Sequence, residues 1–245
     1  MSNQKPTVVL VHGAFAESAS WNGVIERLHA EGITSVAAAN PLRSLAGDAA
    51  AVRDVIASID GPVVLVGHSY GGLVISEASA ANEQVAALVY VCAFVPETGD
   101  SAFALSTSEP GSTLGEALDA HPISTGGIEF TIRRDVFREQ FAADVDPTTA
   151  GLMGATQRPV TQAALQEPVA AAVPGWKDRP SWHVFSSEDR NIPVAVHRAG
   201  AERAGSRGTR EIEGASHALS VSQPGAVAEI VLEAVRAVSD ARAAA

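Results

Sequence analysis

Short apolar runs alternate with helical stripes along the N-terminal part of the chain. Thr7 to Val11 is a compact apolar stretch of strand length, the pattern of a strand buried on both faces. Trp21, Val24, Ile25 and Leu28 then recur at the i, i+3, i+4, i+7 spacing of one helical face. Ile33 to Ala38 predicts a second, weaker strand. Val52, Val55, Ile56 and Ile59 mark a helix that Gly61-Pro62 closes. Val63 to Val66 predicts a third strand, Tyr70 to about Ala81 the helix after it, and Ala86 to Cys92 a fourth strand. Strands alternating with helices predict a mostly parallel sheet with helices on both faces.

Periodicity weakens from about Glu97 to Arg179, where Gly, Pro and Ser punctuate short helical stretches, with candidates at Phe130 to Phe141 and Thr161 to Ala172. The alternation then returns, with a strand at Trp182 to Ser186, a helix from Pro193 to about Ala204 and a strand at Thr209 to Glu213. A closing helix carries Val227, Ile230, Val231, Ala234, Val235 and Val238 on one face, with Pro224 in its first turn. A structureless loop as long as the middle segment does not sit in a compact domain. The expected organisation is one domain, an α/β core of residues 1–96 and 180–245 interrupted by a small helical cap at 97–179.

Composition narrows the class. At 245 residues, 46% hydrophobic and 18% charged, the chain is long and apolar enough for a core that needs no disulfide or metal. Its one cysteine, Cys92, ends an apolar run and reads as a buried, inert thiol. A net charge of −11 argues against a nucleic-acid surface, which needs clustered Lys and Arg. No run reaches the roughly 18 apolar residues of a membrane span. Met1 to Pro6 is polar and without a secretory h-region, so a soluble, cytoplasmic protein is expected, monomer or homodimer, with the Arg242 to Ala245 tail frayed.

Gly67-His-Ser-Tyr-Gly-Gly72 contains G-x-S-x-G. The string is weak by itself. Its position between a predicted strand and a predicted helix is that of a nucleophile elbow, whose sharp turn presents the serine hydroxyl. A serine needs a base, and the base an orienting acid. Of seven histidines, His12 and His183 lie at or in strands, His68 on the elbow, His29 and His197 on helices and His121 in the insertion. Only His217 falls in a loop between the last strand and the last helix, at the carboxyl end of the sheet where open α/β folds place their sites. By the same logic Asp189, after the strand ending at Ser186, is the expected acid, with Glu188, Glu97 and Asp100 as rivals. The backbone N–H groups of Ala14 and Tyr70 are the expected oxyanion donors, and His12 reads as structural. Neither H-x-x-x-H nor C-x-x-C spacing suggests a metal, and no cofactor is expected.

Val9-Leu-Val-His-Gly-Ala-Phe15, Gly67-His-Ser-Tyr-Gly-Gly72, Glu188-Asp-Arg-Asn-Ile-Pro193 and Ser216-His217 together resemble an α/β-hydrolase. More narrowly, they resemble the branch of plant methylesterases, hydroxynitrile lyases and small bacterial carboxylesterases. The resemblance covers residues 5–96 and 180–240 and is loose in the cap, at Phe141-Ala-Ala-Asp-Val145 and Gln157-Arg-Pro159. It implies an ester hydrolase whose cap covers the serine and shapes the pockets. Phe15, Phe137 and Phe141 are the candidate substrate contacts; Phe103, Leu105, Phe130 and Met153 line a pocket or hold the cap together. Lyases of the main type in that branch carry Thr after the strand-end histidine and Lys after the catalytic one, where this chain has Gly13 and Ala218. Dehalogenases and epoxide hydrolases of the fold use an Asp nucleophile. A lactonase, amidase or C–C hydrolase would share the triad, and a non-catalytic binding protein would be expected to have lost part of it.

Overall fold

The computed structural model describes residues 5–244; the expectations for Met1 to Gln4 and for Ala245 lie outside the described residues. Along the chain the elements are β1 (Thr7–Val11), α1 (Asn22–Ala30), β2 (Ser35–Ala38), α2 (Leu45–Ala57), β3 (Val63–His68), α3 (Gly71–Ala78) and β4 (Val85–Val91). The middle segment holds α4 (Ala102–Ser106), β5 (Leu118–Pro122), β6 (Ile128–Ile132), α5 (Phe137–Phe141), α6 (Pro147–Thr156), β7 (Val160–Thr161) and α7 (Gln162–Gln166). The chain closes with β8 (Ser181–Ser186), α8 (Val194–Arg203), β9 (Gly208–Ile212), α9 (Leu219–Ser222) and α10 (Pro224–Ala243). Arg242 and Ala243 are therefore helical and not frayed.

Six strands form one parallel sheet in the order β2-β1-β3-β4-β8-β9. Successive residues of β1 and β3 serve opposite faces. Val9, Val11 and Leu65 pack toward α2 and α3, while Val8, Leu10, Val64 and Val66 pack toward α1 and α10. The chain leaves β1 toward β2, then returns to the other side of β1 as β3. Neighbouring strands whose connections diverge open a crevice at their carboxyl ends, the usual binding place in such sheets.

The middle segment departs from the expected helical cap. It contains an antiparallel sheet, β5-β6-β7, beside its short helices. Phe130 lies in β6, and the helix expected from Phe130 to Phe141 is reduced to α5. Gly126 and Gly127, at φ +93° and +96°, turn the β5–β6 hairpin, and Gly-Gly between apolar alternations is the signal that foretells it. The longest helix here, α6, is not among the expected elements, although Asp146 accepts from the Thr148 and Thr149 N–H groups as its N-cap and Pro147 opens it. Its buried residues are Ala150 and Gly154 while Leu152 is exposed, so no apolar stripe announces it. Phe137, Phe141, Val145 and Val160 join the core on the α2/α3 face of the main sheet. The segment thus shares one core with the sheet.

The turn from β3 to α3 is where backbones come closest. A Cβ on Gly72 would stand 2.2 Å from the Phe94 carbonyl oxygen, and one on Gly71 2.6 Å from that of Val11. Both obstacles are backbone and cannot swing aside. Gly72→Ala is therefore expected to lose about 1–3 kcal/mol or more of stability, read as a lower denaturant midpoint; an unchanged midpoint would mean that the Phe94 loop after β4 yields freely.

Candidate active site

The elbow positions Ser69. It follows β3 directly, at φ +55°, a left-handed backbone that side chains adopt only where the surroundings impose it. Its N–H donates to the Val91 carbonyl at 3.2 Å and its carbonyl accepts from Gly72 N–H at 2.9 Å, so the strained residue is tied on both sides. The Gly13 loop after β1 closes over it: a Cβ on Gly13 would lie 2.6 Å from Ser69 Cβ. Ala14 and Tyr70 line the same cavity as Ser69. Among the described residues, no protein acceptor takes the N–H of either.

His217 and Asp189 come together from the loops after β9 and β8. His217 Nδ1 donates to Asp189 Oδ2 at 2.6 Å, with both side chains buried. The rivals are engaged elsewhere: Glu97 pairs with Lys177 at 2.5 Å, and Asp100 accepts from the Glu97 N–H at 2.9 Å. Glu188 is exposed, outside the buried pair. Asp189 Oδ1 accepts the Asn191 and Ile192 N–H groups at 2.8 and 2.9 Å, and His197 Nε2 lies 3.0 Å from Oδ2. Burial alone would raise the Asp189 pKa, but the charge of His217 and the bonds from His197 and His217 outweigh it and hold the carboxyl below its ordinary range. Ser69 and His217 line one cavity without a closed hydrogen bond between them, a contact that commonly tightens only with substrate in place.

His217 and its loop are held from three sides. His68 Nε2 donates to the His217 carbonyl at 3.0 Å. The Ala218 N–H donates to the Phe141 carbonyl at 3.0 Å, and Ser216 Oγ donates to Asp144 Oδ1 at 2.5 Å. The last two partners belong to the middle segment, so that segment helps fix the histidine loop. Their roles were invisible in the sequence, because none shares a periodic face with His217. His12 also faces its own scaffold. Its Nε2 accepts the Asn40 N–H at 3.1 Å and its carbonyl accepts from Asn40 Nδ2 at 2.9 Å, pinning the loop that carries Ala14.

The cavity measures about 440 Å³ and is walled mainly by apolar side chains, among them Phe15, Phe94, Phe103, Phe141 and Ile192. Glu109 and Glu116 are the carboxylates along it, and the segment from Ser106 to Leu118 forms one wall. Phe15 and Phe141 reach the cavity as expected of them. Phe137 does not: it is buried behind Phe141, its ring 5.2 Å from that of Phe141 and its edge against Gly154. Cys92 is buried, its thiol pushed far up by burial, as an inert cysteine should be. Its sulfur nevertheless stands with Asp189 and His197 in a group whose ligand atoms lie within 4.8 Å of one another, a juxtaposition that chain spacing did not reveal. A cation there would compete with His217 for Asp189 Oδ2, which already accepts two bonds.

The profile of the Alpha/beta hydrolase family matches residues 8–230. The chain is 27% identical over 211 residues to an alpha/beta hydrolase, nvfD, of Aspergillus novofumigatus, covering 78% of this chain and 81% of that protein. It is 28% identical over 210 residues to a pyrethroid hydrolase of Sphingobium wenxiniae, covering 78% and 74%. Among solved structures, polyneuridine aldehyde esterase superposes with a TM-score of 0.79 at 20% identity, covering 94% of this chain and 99% of that one. Among the described residues, no helix is long and apolar enough to cross a membrane.

Three histidines are buried in neutral form. Burial lowers His12 to about 4, and lowers His68 and His183 to about 3, with the charge of His217 adding to the effect at His68 and that of His197 at His183. In the unfolded chain each titrates near 6.5. Between roughly pH 6 and 4 the unfolded state therefore binds more protons than the folded one, and stability rises with pH. The stabilisation is complete above the unfolded pKa and is lost on acidification, at about 1.4 kcal/mol per pH unit for each histidine. Urea unfolding measured across this range should show that slope; a flat profile would mean that the three histidines titrate normally in the folded protein.

Proposed function

The chain belongs to the alpha/beta hydrolase family, and from that premise we propose that it hydrolyses small, neutral, apolar carboxylic esters through Ser69, His217 and Asp189 by way of an acyl-enzyme. The observation that carries this reading is the arrangement of His217, bonded to Asp189 at 2.6 Å on one side and exposed on the other to the cavity that the strained Ser69 lines. His217 takes the Ser69 proton as Oγ attacks the ester carbonyl. The oxyanion is received by the Ala14 and Tyr70 N–H groups, which have no protein acceptor of their own among the described residues; such a donor typically carries about 10²–10³ in turnover. Protonated His217 then releases the alcohol, and water activated by the same base frees the acid. The chemistry calls for no cofactor. Relatives named as esterases and hydrolases support an esterase-type enzyme, and apolar walls support an uncharged substrate. A lyase is disfavoured by Gly13, where even a Cβ would strike Ser69.

Segment 97–179 acts in this reading as a cap that selects among substrates and supplies no reacting group. Phe141 touches the cavity and Phe137 supports Phe141 from behind.

Ser69→Ala should abolish ester turnover and labelling by a fluorophosphonate probe while the fold persists. Asp189→Asn should lower turnover on the order of 10⁴-fold if serine-protease precedent transfers. Labelling of Ser69→Ala at the wild-type rate would remove the serine from the mechanism. In the cap, Phe141→Ala is expected to reorder esters of different acyl length by roughly 10- to 200-fold. Phe137→Ala should instead cost about 3–5 kcal/mol of stability. Thermal melts beside an ester panel separate the two; equal loss across every ester in a folded Phe141→Ala protein would move selectivity to the core loops.

A further inference from the structure

We propose that His197 is a positioning residue that shares Asp189 with His217, donating from Nε2–H to the same carboxylate oxygen and thereby setting the basicity of His217. The inference rests on the reading of Asp189 and His217 as acid and base given above.

The geometry leaves His197 one role toward this carboxylate. Asp189 is anionic and buried, so every group in contact with it must donate. Oδ1 is occupied by the Asn191 and Ile192 N–H groups. Oδ2 takes His217 Nδ1 at 2.6 Å and His197 Nε2 at 3.0 Å. The His197 ring is itself fixed in place. It sits on α8 one turn beyond Pro193, is 3% exposed, and stacks on Phe185 of β8 at 5.3 Å with the rings 17° apart. The carboxylate is thus clamped by the backbone of its own loop on one oxygen and by two imidazoles on the other.

Two donors on one oxygen divide its charge. Each stabilises the anion, and the bond from His197 leaves less negative charge to stabilise the imidazolium of His217. Oδ2 thereby stays fixed against His217 Nδ1 while the proton moves. Removing the second donor should return that charge to the bond with His217 and loosen the carboxylate. The other titratable groups that face this cluster are His68, His183 and Cys92 in the core, Asp144 bonded to Ser216, and Glu109 and Glu116 along the cavity. Burial keeps His68 and His183 neutral down to about 3 and the Cys92 thiol protonated. Arg198, on the same helix, pairs with Glu211 at 2.6 Å and holds that carboxyl below its ordinary range.

His197→Phe keeps the ring stacked on Phe185 and removes only the donor; His197→Gln retains an N–H at a similar reach. With a chromogenic ester, His197→Phe is expected to move the acid limb of kcat/KM upward by about one pH unit and to lower kcat roughly tenfold with little change in KM. His197→Gln should return both toward wild type. A folded His197→Phe protein with the wild-type limb and kcat would overturn the proposal and leave His197 as packing. Nitrogen-15 histidine spectra of the wild-type protein give a test that needs no variant: Nε2 of His197 must carry a proton, and an unprotonated Nε2 overturns the proposal. Ser69→Ala and Asp189→Asn, assayed in parallel, keep the two readings apart. If both lose turnover while His197→Phe matches wild type, only the role of His197 fails; if Ser69→Ala keeps its turnover, the mechanism itself fails.

Discussion

At the carboxyl ends of β1 and β3, backbone stands where side chains would otherwise be. The carbonyls of Phe94, Val11 and Gly71 occupy the Cβ positions of residues 72, 71 and 67 to within 2.2–2.6 Å, and Ser69 itself fills that of residue 13. This close approach depends on four glycines, and much of the site depends on it. Because α3 packs so tightly on the strand ends, the chain must turn within one residue, and that residue is driven to φ +55°. The strain is held by bonds from Ser69 to Val91 and Gly72. The same approach brings the Ala14 loop over the serine, leaving two N–H groups at the cavity without protein acceptors among the described residues.

A second constraint governs the opposite side of the cavity. A carboxylate without solvent must have its lone pairs filled, or burial would drive it to the neutral acid. Asp189 meets this with two backbone and two imidazole donors. The loop after β8 therefore has little freedom, and neither has His217, whose carbonyl is held by His68 and whose neighbours are held by Phe141 and Asp144. Since Phe141 and Asp144 belong to the middle segment, the cavity wall and the His217 loop share a framework. Changes in the middle segment will be felt at His217 as well as in the cavity.

The strands of the core were legible because β1, β3 and β4 are buried on both faces and so read as uninterrupted apolar runs. The closing helix was legible because one face of it is buried and the other is not. The middle segment was harder for the same physical reason in reverse. Its elements are short, and their buried residues meet partners scattered along the chain. The apolar stripe read from Phe130 to Phe141 is a strand and a helix that happen to follow one another, and α6 buries an alanine and a glycine in place of a stripe. The Gly126-Gly127 turn and the Asp146-Pro147 start were present as local signals and carried more information than hydrophobicity did.

By itself the sequence determined what local chemistry encodes: a parallel α/β core, a serine on a strand-to-helix turn, and a histidine and an aspartate each placed after a strand. These follow from periodicity and from the few residues that tolerate a sharp turn, and neither needs a distant partner. Tertiary structure alone decided which polar groups share a hydrogen bond. His197 lies on a helix of ordinary pattern, His68 beside the serine, and Asp144 far from the loop it holds. Phe137 and Phe141 look equivalent in the chain, yet Phe141 meets the cavity and Phe137 is packed behind it in the core. A hydrogen bond or a ring contact depends on a few ångströms between segments that the sheet brings together, and nothing in the order of residues along the chain carries that distance.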